Sequence, residues 1–132
     1  MIGIFDLQDM DAQVNQIYTQ LGGNWGAVHT ITVGNEFILA GKCSPGQMTT
    51  YTTDARAKLR AKGYSGPVVS VNVAHEVIQN PSLCDGQDYI AVNCHAFFDG
   101  GVAAEGAGAF LKNMRQLVSQ ACGGKYTMIT GK

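Results

Sequence analysis

No stretch of this 132-residue sequence approaches about 18 consecutive apolar residues, so it offers no candidate transmembrane helix. Charge is scarce as well: charged residues make up 14% and the formal net charge is -1. With no Lys/Arg cluster or basic stripe, the chain has no electrostatic pull toward nucleic acid or an anionic membrane. The four cysteines, Cys43, Cys84, Cys94 and Cys122, are widely spaced and form no CxxC pair. That spacing argues against a zinc site or a thioredoxin-type motif, and no metal centre is expected, while disulfides stay open. The opening MIGIFDLQDMD has no basic segment, and Asp6 breaks its apolar run after five residues, so it does not read as a secretory signal. Neither GxGxxG nor GxxxxGK[ST] follows a strand, and Gly100, Gly101, Gly106 and Gly108 are spaced wrongly for either. No phosphate-bearing cofactor, and no cofactor of any kind, is therefore expected. A response-regulator pocket fails because VVSVNVAHE carries no well-placed Asp, and no internal repeat or linker marks a second domain.

Hydrophobic residues at 45% are enough for a globular core. Five short apolar, β-branched runs, at 1–5, 30–34, 68–73, 89–93 and 126–130, read as buried parallel strands. Between the first two, Val14, Ile17, Tyr18 and Leu21 keep helical spacing before Gly22-Gly23. Met48, Tyr51, Ala55 and Leu59 mark a second helix ending at Gly63, and residues 75–79 allow one or two turns before Asn80-Pro81. A last helix carries Ala107, Phe110, Leu111, Met114, Leu117, Val118 and Ala121 on one face and stops at Gly123-Gly124. The fold class is thus α/β with a parallel sheet and outer helices. Pattern alone does not separate an open doubly wound sheet from an arc of a barrel.

The strands end on chemistry. Asp6 follows the first, Asn35 and Glu36 the second, and Asn93, His95, Phe97, Phe98 and Asp99 the fourth, while Asn72 lies within the third. Loops at the carboxyl ends of parallel strands converge on one mouth, which is where an α/β active site sits. Each residue also has a plain reading. Asp6 or Asp9 suits the N-cap of the helix that begins near Asp11. Glu36 is either a surface or capping glutamate or a partly desolvated general acid, and the apolar run 37–40 behind it favours a shielded setting. His95 is a core histidine or a polar ligand contact. Phe97-Phe98 is barrel packing or a platform for sugar rings.

Six ordered blocks, GIFD (3–6), ITVGNE (31–36), GYSGPVVSV (63–71), NPSLC (80–84), DYIAVNCHAFFDGG (88–101) and ACGGK (121–125), give the chain a specific likeness. It resembles the fungal cell-wall glucanases of glycoside hydrolase family 17, the group holding exo-β-1,3-glucanase-like enzymes and soluble cell-wall mannoproteins. The resemblance implies part of a (β/α)8 barrel, with the five strands as strands three to seven. It implies that Glu36 is the general acid/base of a retaining β-1,3-glucan hydrolase or glucanosyltransferase. It further implies that Asp6, Asn35, Asn93, His95, Phe97 and Phe98 line the sugar-binding cleft, and that the partner is a β-glucan polysaccharide or oligosaccharide. An extracellular, cell-wall location follows from the same likeness, and with it a disulfide between Cys84 and Cys122.

The likeness breaks at the end. Family members continue as ITESGWP, whose Glu is the nucleophile, whereas this sequence reads Ile129-Thr130-Gly131-Lys132. Gly131 then stands at the nucleophile's place, and residues 1–132 are expected to be a single incomplete catalytic domain, shortened at both ends and poor in turnover of its own. A non-catalytic glucan-binding wall protein and a non-functional truncated product are the alternatives. Five strands in an arc also leave two open edges, which invite self-association.

Overall fold

The computed structural model describes residues 1–131; Lys132 lies outside them. Five strands, β1 (Ile2–Ile4), β2 (Ile31–Val33), β3 (Val68–Val73), β4 (Ile90–Asn93) and β5 (Thr127–Thr130), form one sheet in the order β1-β2-β3-β4-β5. Every neighbouring pair is parallel. A doubly wound sheet reverses its strand order at a switch point, so this unbroken sequential order excludes it and is that of a barrel arc. Each strand except β3 is shorter than its sequence run by one or two residues, because the flanking positions already turn toward helices or loops.

Helices α1 (Met10–Gln20), α2 (Pro45–Ala61), α3 (Ala74–Gln79) and α4 (Ala107–Ala121) lie between successive strands. The Asp9 carboxylate caps α1 by accepting the Ala12 N–H, which is the capping reading for that pair of acids. Ser44 and Gln47 form a reciprocal capping box on α2 with Pro45 in the first turn. On α2 the residues buried against the sheet are Met48, Thr52, Ala55 and Leu59, with Thr52 rather than Tyr51 completing the stripe. Helix α4 departs further from its pattern. Of its seven periodic apolar residues only Val118 is buried, and Leu117 stays 41% exposed. It packs chiefly on α3 and β5, with smaller contacts to the turns Ala96–Phe98 and Ala104–Gly106, and much of its stripe stays partly exposed.

The period-two alternation of the strands divides the interior. Ile4, Ile31, Val33, Val68, Ile90 and Val92 point to the helices and join one large core with Met48, Leu59 and Val118. Val69, Val71, Tyr89 and Ala91 form a second, smaller cluster on the concave face, with Met128 packed against it. Below the sheet, at the amino ends of the strands, Trp25 packs on Tyr64 at a ring separation of 5.1 Å and donates to the Lys62 carbonyl. The disulfide Cys84–Cys122 ties the turn before β4 to the end of α4. Both β1 and β5 have a single strand neighbour, so each leaves one edge unpaired among the described residues.

One ionic clamp fixes the start of β3. Asp88 Oδ2 accepts the Val68 N–H at 2.8 Å and an Arg56 N–H at 3.0 Å, and the same Arg56 nitrogen donates to the Val68 carbonyl. Partial burial pushes the Asp88 carboxyl up, but the Val68 hydrogen bond and the Arg56 and Arg60 guanidinium groups outweigh it and hold the group below its ordinary value. A carboxyl depressed on folding stabilises the fold fully above its unfolded value, near 3.9, and loses that contribution as pH falls through the folded value. Thermal melts of Asp88→Asn against wild type should therefore differ by a constant amount above about pH 5 and converge as pH falls below the ordinary carboxylate range. A difference that grows on acidification would contradict the clamp.

Candidate active site

A cleft of about 610 Å3 opens at the carboxyl ends of the strands, lined by Glu36, Leu39, Val73, Asn93, His95, Phe97 and Phe98. Local geometry places Glu36 there. Chain direction changes sharply after β2 through Gly34 at φ 67° and Glu36 at φ 56°, both in the left-handed region. For glutamate that conformation costs on the order of 1 kcal/mol, and such strain is retained where the surroundings over-determine it. Here the Glu36 N–H donates across to the Val71 carbonyl at 2.9 Å, and the Glu36 carbonyl accepts from Ala40 N–H. Both contacts hold the residue over the end of β3. The run 37–40, expected to shield the carboxylate, is instead a turn: Phe37 and Ile38 are half-buried against the core, and Leu39 is 53% exposed.

Asn93 closes the other side. Register sets Val73, Asn93 and Thr130 abreast on β3, β4 and β5. The Asn93 side chain, 5% exposed, donates from Nδ2 to Glu36 Oε1 at 2.6 Å and to Asn35 Oδ1 at 3.0 Å. A hydrogen bond that short from an amide to a carboxylate oxygen is of the charge-assisted kind. Thr130 in turn donates from its hydroxyl to Asn93 Oδ1 at 2.8 Å.

His95 is half-buried at the cleft wall rather than in the core, with its ring edge-on to Phe98 at 5.7 Å. Phe97 and Phe98 overturn the packing reading. They are 89% and 80% exposed, stand edge-to-face at 5.3 Å, and form the rim of the cleft. The 3-10 turn Ala96–Phe98 follows β4 at once and presents both rings at the surface, with α4 alongside.

Asp6 stands apart. It borders a smaller neighbouring depression with Phe5, Leu7, Gln8, Phe37, Lys42 and Tyr51, and its Oδ1 accepts the N–H groups of Gln8 and Asp9. Asn72 is buried under the sheet, where its Nδ2 donates to Ser70 Oγ, so it does not reach the cleft. Sequence reasoning missed Leu39, Val73 and Thr130; nothing in their identity marks them, and only the strand register brings Val73 and Thr130 beside Asn93. Glu36 is the single carboxylate lining the cleft among the described residues. No group of three or more His, Cys, Asp or Glu side chains is gathered there for a metal ion among those residues.

Comparison with known proteins agrees with this architecture. The model of the BtgE/BtgC glycoside hydrolase domain matches residues 1–131. The chain is 43% identical over 129 residues to the cell surface mannoprotein MP65 of Candida albicans, covering 96% of this chain and 34% of that protein. It is 39% identical over 130 residues to the probable family 17 glucosidase SCW4 of Saccharomyces cerevisiae, covering 97% of this chain and again 34% of the relative. Thus it spans about a third of the length of these relatives. The fold matches a glycoside hydrolase family 17 β-1,3-glucanosyltransferase from Rhizomucor miehei with a TM-score of 0.77 at 20% identity, over 96% of this chain and 46% of that one. An arc of five strands is accordingly a partial (β/α)8 barrel. By its sequence, its strand order and the match along residues 1–131, the chain belongs to the BtgE/BtgC glycoside hydrolase family within the fungal family 17 proteins.

Proposed function

We propose that the cleft binds β-1,3-linked glucan and that Glu36 is the proton-transferring carboxyl of a retaining glycosidase or glucanosyltransferase, acting at the surface of a fungal cell. The observation that carries this reading is the Asn93 amide fixing Glu36 Oε1 at 2.6 Å inside a cleft rimmed by exposed phenyl rings. A pyranose presents axial C–H bonds on its faces and hydroxyls around its edge. Exposed aromatic faces suit the first, and the His95 ring nitrogens and the Asn35 amide suit the second. A relative with the same fold was captured with laminaritriose, which supports that ligand class. One of the relatives is a cell surface mannoprotein, which supports the location.

Retaining chemistry needs two carboxyl groups about 5 to 5.5 Å apart, one to attack the anomeric carbon and one to protonate the leaving oxygen. Glu36 supplies one. Because no second carboxylate lines the cleft among the described residues, binding without cleavage is the favoured reading for residues 1–132 taken alone.

Titration of the protein with laminaritriose, followed by amide chemical shifts, tests the site. Resonances around Glu36, Asn93 and His95 should move on binding. Phe98→Ala should weaken affinity about 3- to 10-fold, the range expected for one aromatic stacking contact. Shifts confined to residues remote from this cleft, or an unchanged affinity in Phe98→Ala, would overturn the assignment.

A further inference from the structure

We propose that Thr130 is a positioning residue for Glu36, acting through the Asn93 amide; the proposal rests on the acid/base reading of Glu36 given above. A primary amide can sit in its pocket in two orientations that exchange its oxygen and nitrogen. In one, Nδ2 faces Glu36; in the other, Oδ1 would oppose Oε1 at 2.6 Å, an acceptor against an acceptor unless the carboxyl gives it a proton. The Glu36 carboxylate, which only accepts, sets the first orientation, and Thr130 holds it by donating its hydroxyl to Asn93 Oδ1 at 2.8 Å, the one amide atom the carboxylate leaves unsatisfied. Withdrawal of electron density at Oδ1 also polarises the amide and strengthens its N–H donors.

Both hydrogens of Nδ2 are then engaged, one by Asn35 Oδ1 at 3.0 Å and one by Glu36 Oε1. Asn93 is 5% exposed and has no donor left for a sugar, so it organises the carboxylate rather than contacting substrate. Oε1 is kept as an acceptor, and the proton that a general acid delivers resides on Oε2. The chain Thr130–Asn93–Glu36 thus decides which carboxyl oxygen works.

The signature is spectroscopic. In a 15N-labelled 132-residue protein the Asn93 side-chain amide pair, assigned by its loss in Asn93→Asp, should exchange slowly with solvent and have distinct proton shifts. Thr130→Ser keeps the hydroxyl and should leave both properties unchanged. Thr130→Val keeps the shape without the donor, and should speed that exchange by about fivefold, the factor that corresponds to one typical hydrogen bond. A Thr130→Val spectrum identical to wild type overturns the proposal. So does a wild-type Asn93 amide that exchanges as fast as an exposed one, a measurement that stands even if Thr130→Val does not fold. Laminaritriose binding is followed on the same wild-type sample. A protected Asn93 amide without binding refutes the glucan reading while supporting the hydrogen-bonded chain, and binding with an unprotected amide does the reverse.

Discussion

Replacing Cys84 and Cys122 together by alanine is expected to lower the unfolding free energy by about 4 kcal/mol, from the chain entropy restored when a loop of this length is opened. The two residues are 38 apart in sequence, and the ring they close contains β4, the aromatic rim of the cleft and the whole of α4. The cross-link matters because α4 is held loosely otherwise: one fully buried residue, a half-covered stripe, and no described helix beyond it. Lys125 adds a second tether by donating to the carbonyls of Cys84 and Gln87, but these bonds are lost with the local fold rather than surviving it. For a domain of this size such a loss corresponds to a fall in Tm on the order of 15 °C. Urea titrations of the double variant and of reduced wild type should agree, with a lower midpoint than the oxidised protein and a similar slope. A double variant within about 1 kcal/mol of wild type, well under the entropic expectation, would mean that packing alone retains α4.

The second large effect is on turnover. Residues 1–132 should release reducing ends from laminarin oligosaccharides at least about 10^4-fold more slowly than a family member with both carboxylates, the scale of loss when a nucleophile is absent. Groups that act as a unit are not additive, so Glu36→Gln should then cost little further rate while leaving sugar binding nearly intact. Position 131 offers the converse experiment. A Cβ built on Gly131 would meet the His95 ring at 3.9 Å, an ordinary contact, so a longer side chain enters the cleft wall without a clash at its root. Gly131→Glu should raise product formation above Gly131→Gln, which matches it in size and lacks the negative charge. Turnover by the wild-type polypeptide within tenfold of an intact relative, or equal rates for the two Gly131 variants, would defeat this account of the chemistry.

The strands were legible because buried parallel strands need continuous apolar, β-branched runs, and the helices because Gly22-Gly23, Gly63 and Gly123-Gly124 stop them. Helix α4 shows where that logic fails. Periodicity reports which face is apolar, not whether anything covers it, and Leu117 carries the pattern while remaining exposed. Glu36, Asn35 and Asn93 could be singled out at the strand ends, yet the bonds that join them to one another and to Thr130 could not. Asn93 lies 57 residues from Glu36 and Thr130 a further 37, and only the lateral register of β4 and β5 aligns them. Phe97-Phe98 had two readings in the sequence, core packing or an open platform, and the 3-10 turn at the strand end presents both rings to solvent. The Arg56–Asp88 clamp and the tilted Trp25–Tyr64 ring pair were likewise invisible, since each joins segments far apart in sequence.

Strand order has a consequence for how the molecule is made. Each strand lies beside the one translated just before it, so every ladder can close as soon as the next segment leaves the ribosome. No early strand waits for a late-made partner between two it has already met, and growth can proceed by accretion at one advancing border. A nascent chain arrested after α3 should already hold β1, β2 and β3 in register, with protease-resistant backbone in all three; arrest fragments cleaved freely through β2 would show that assembly needs the later strands after all.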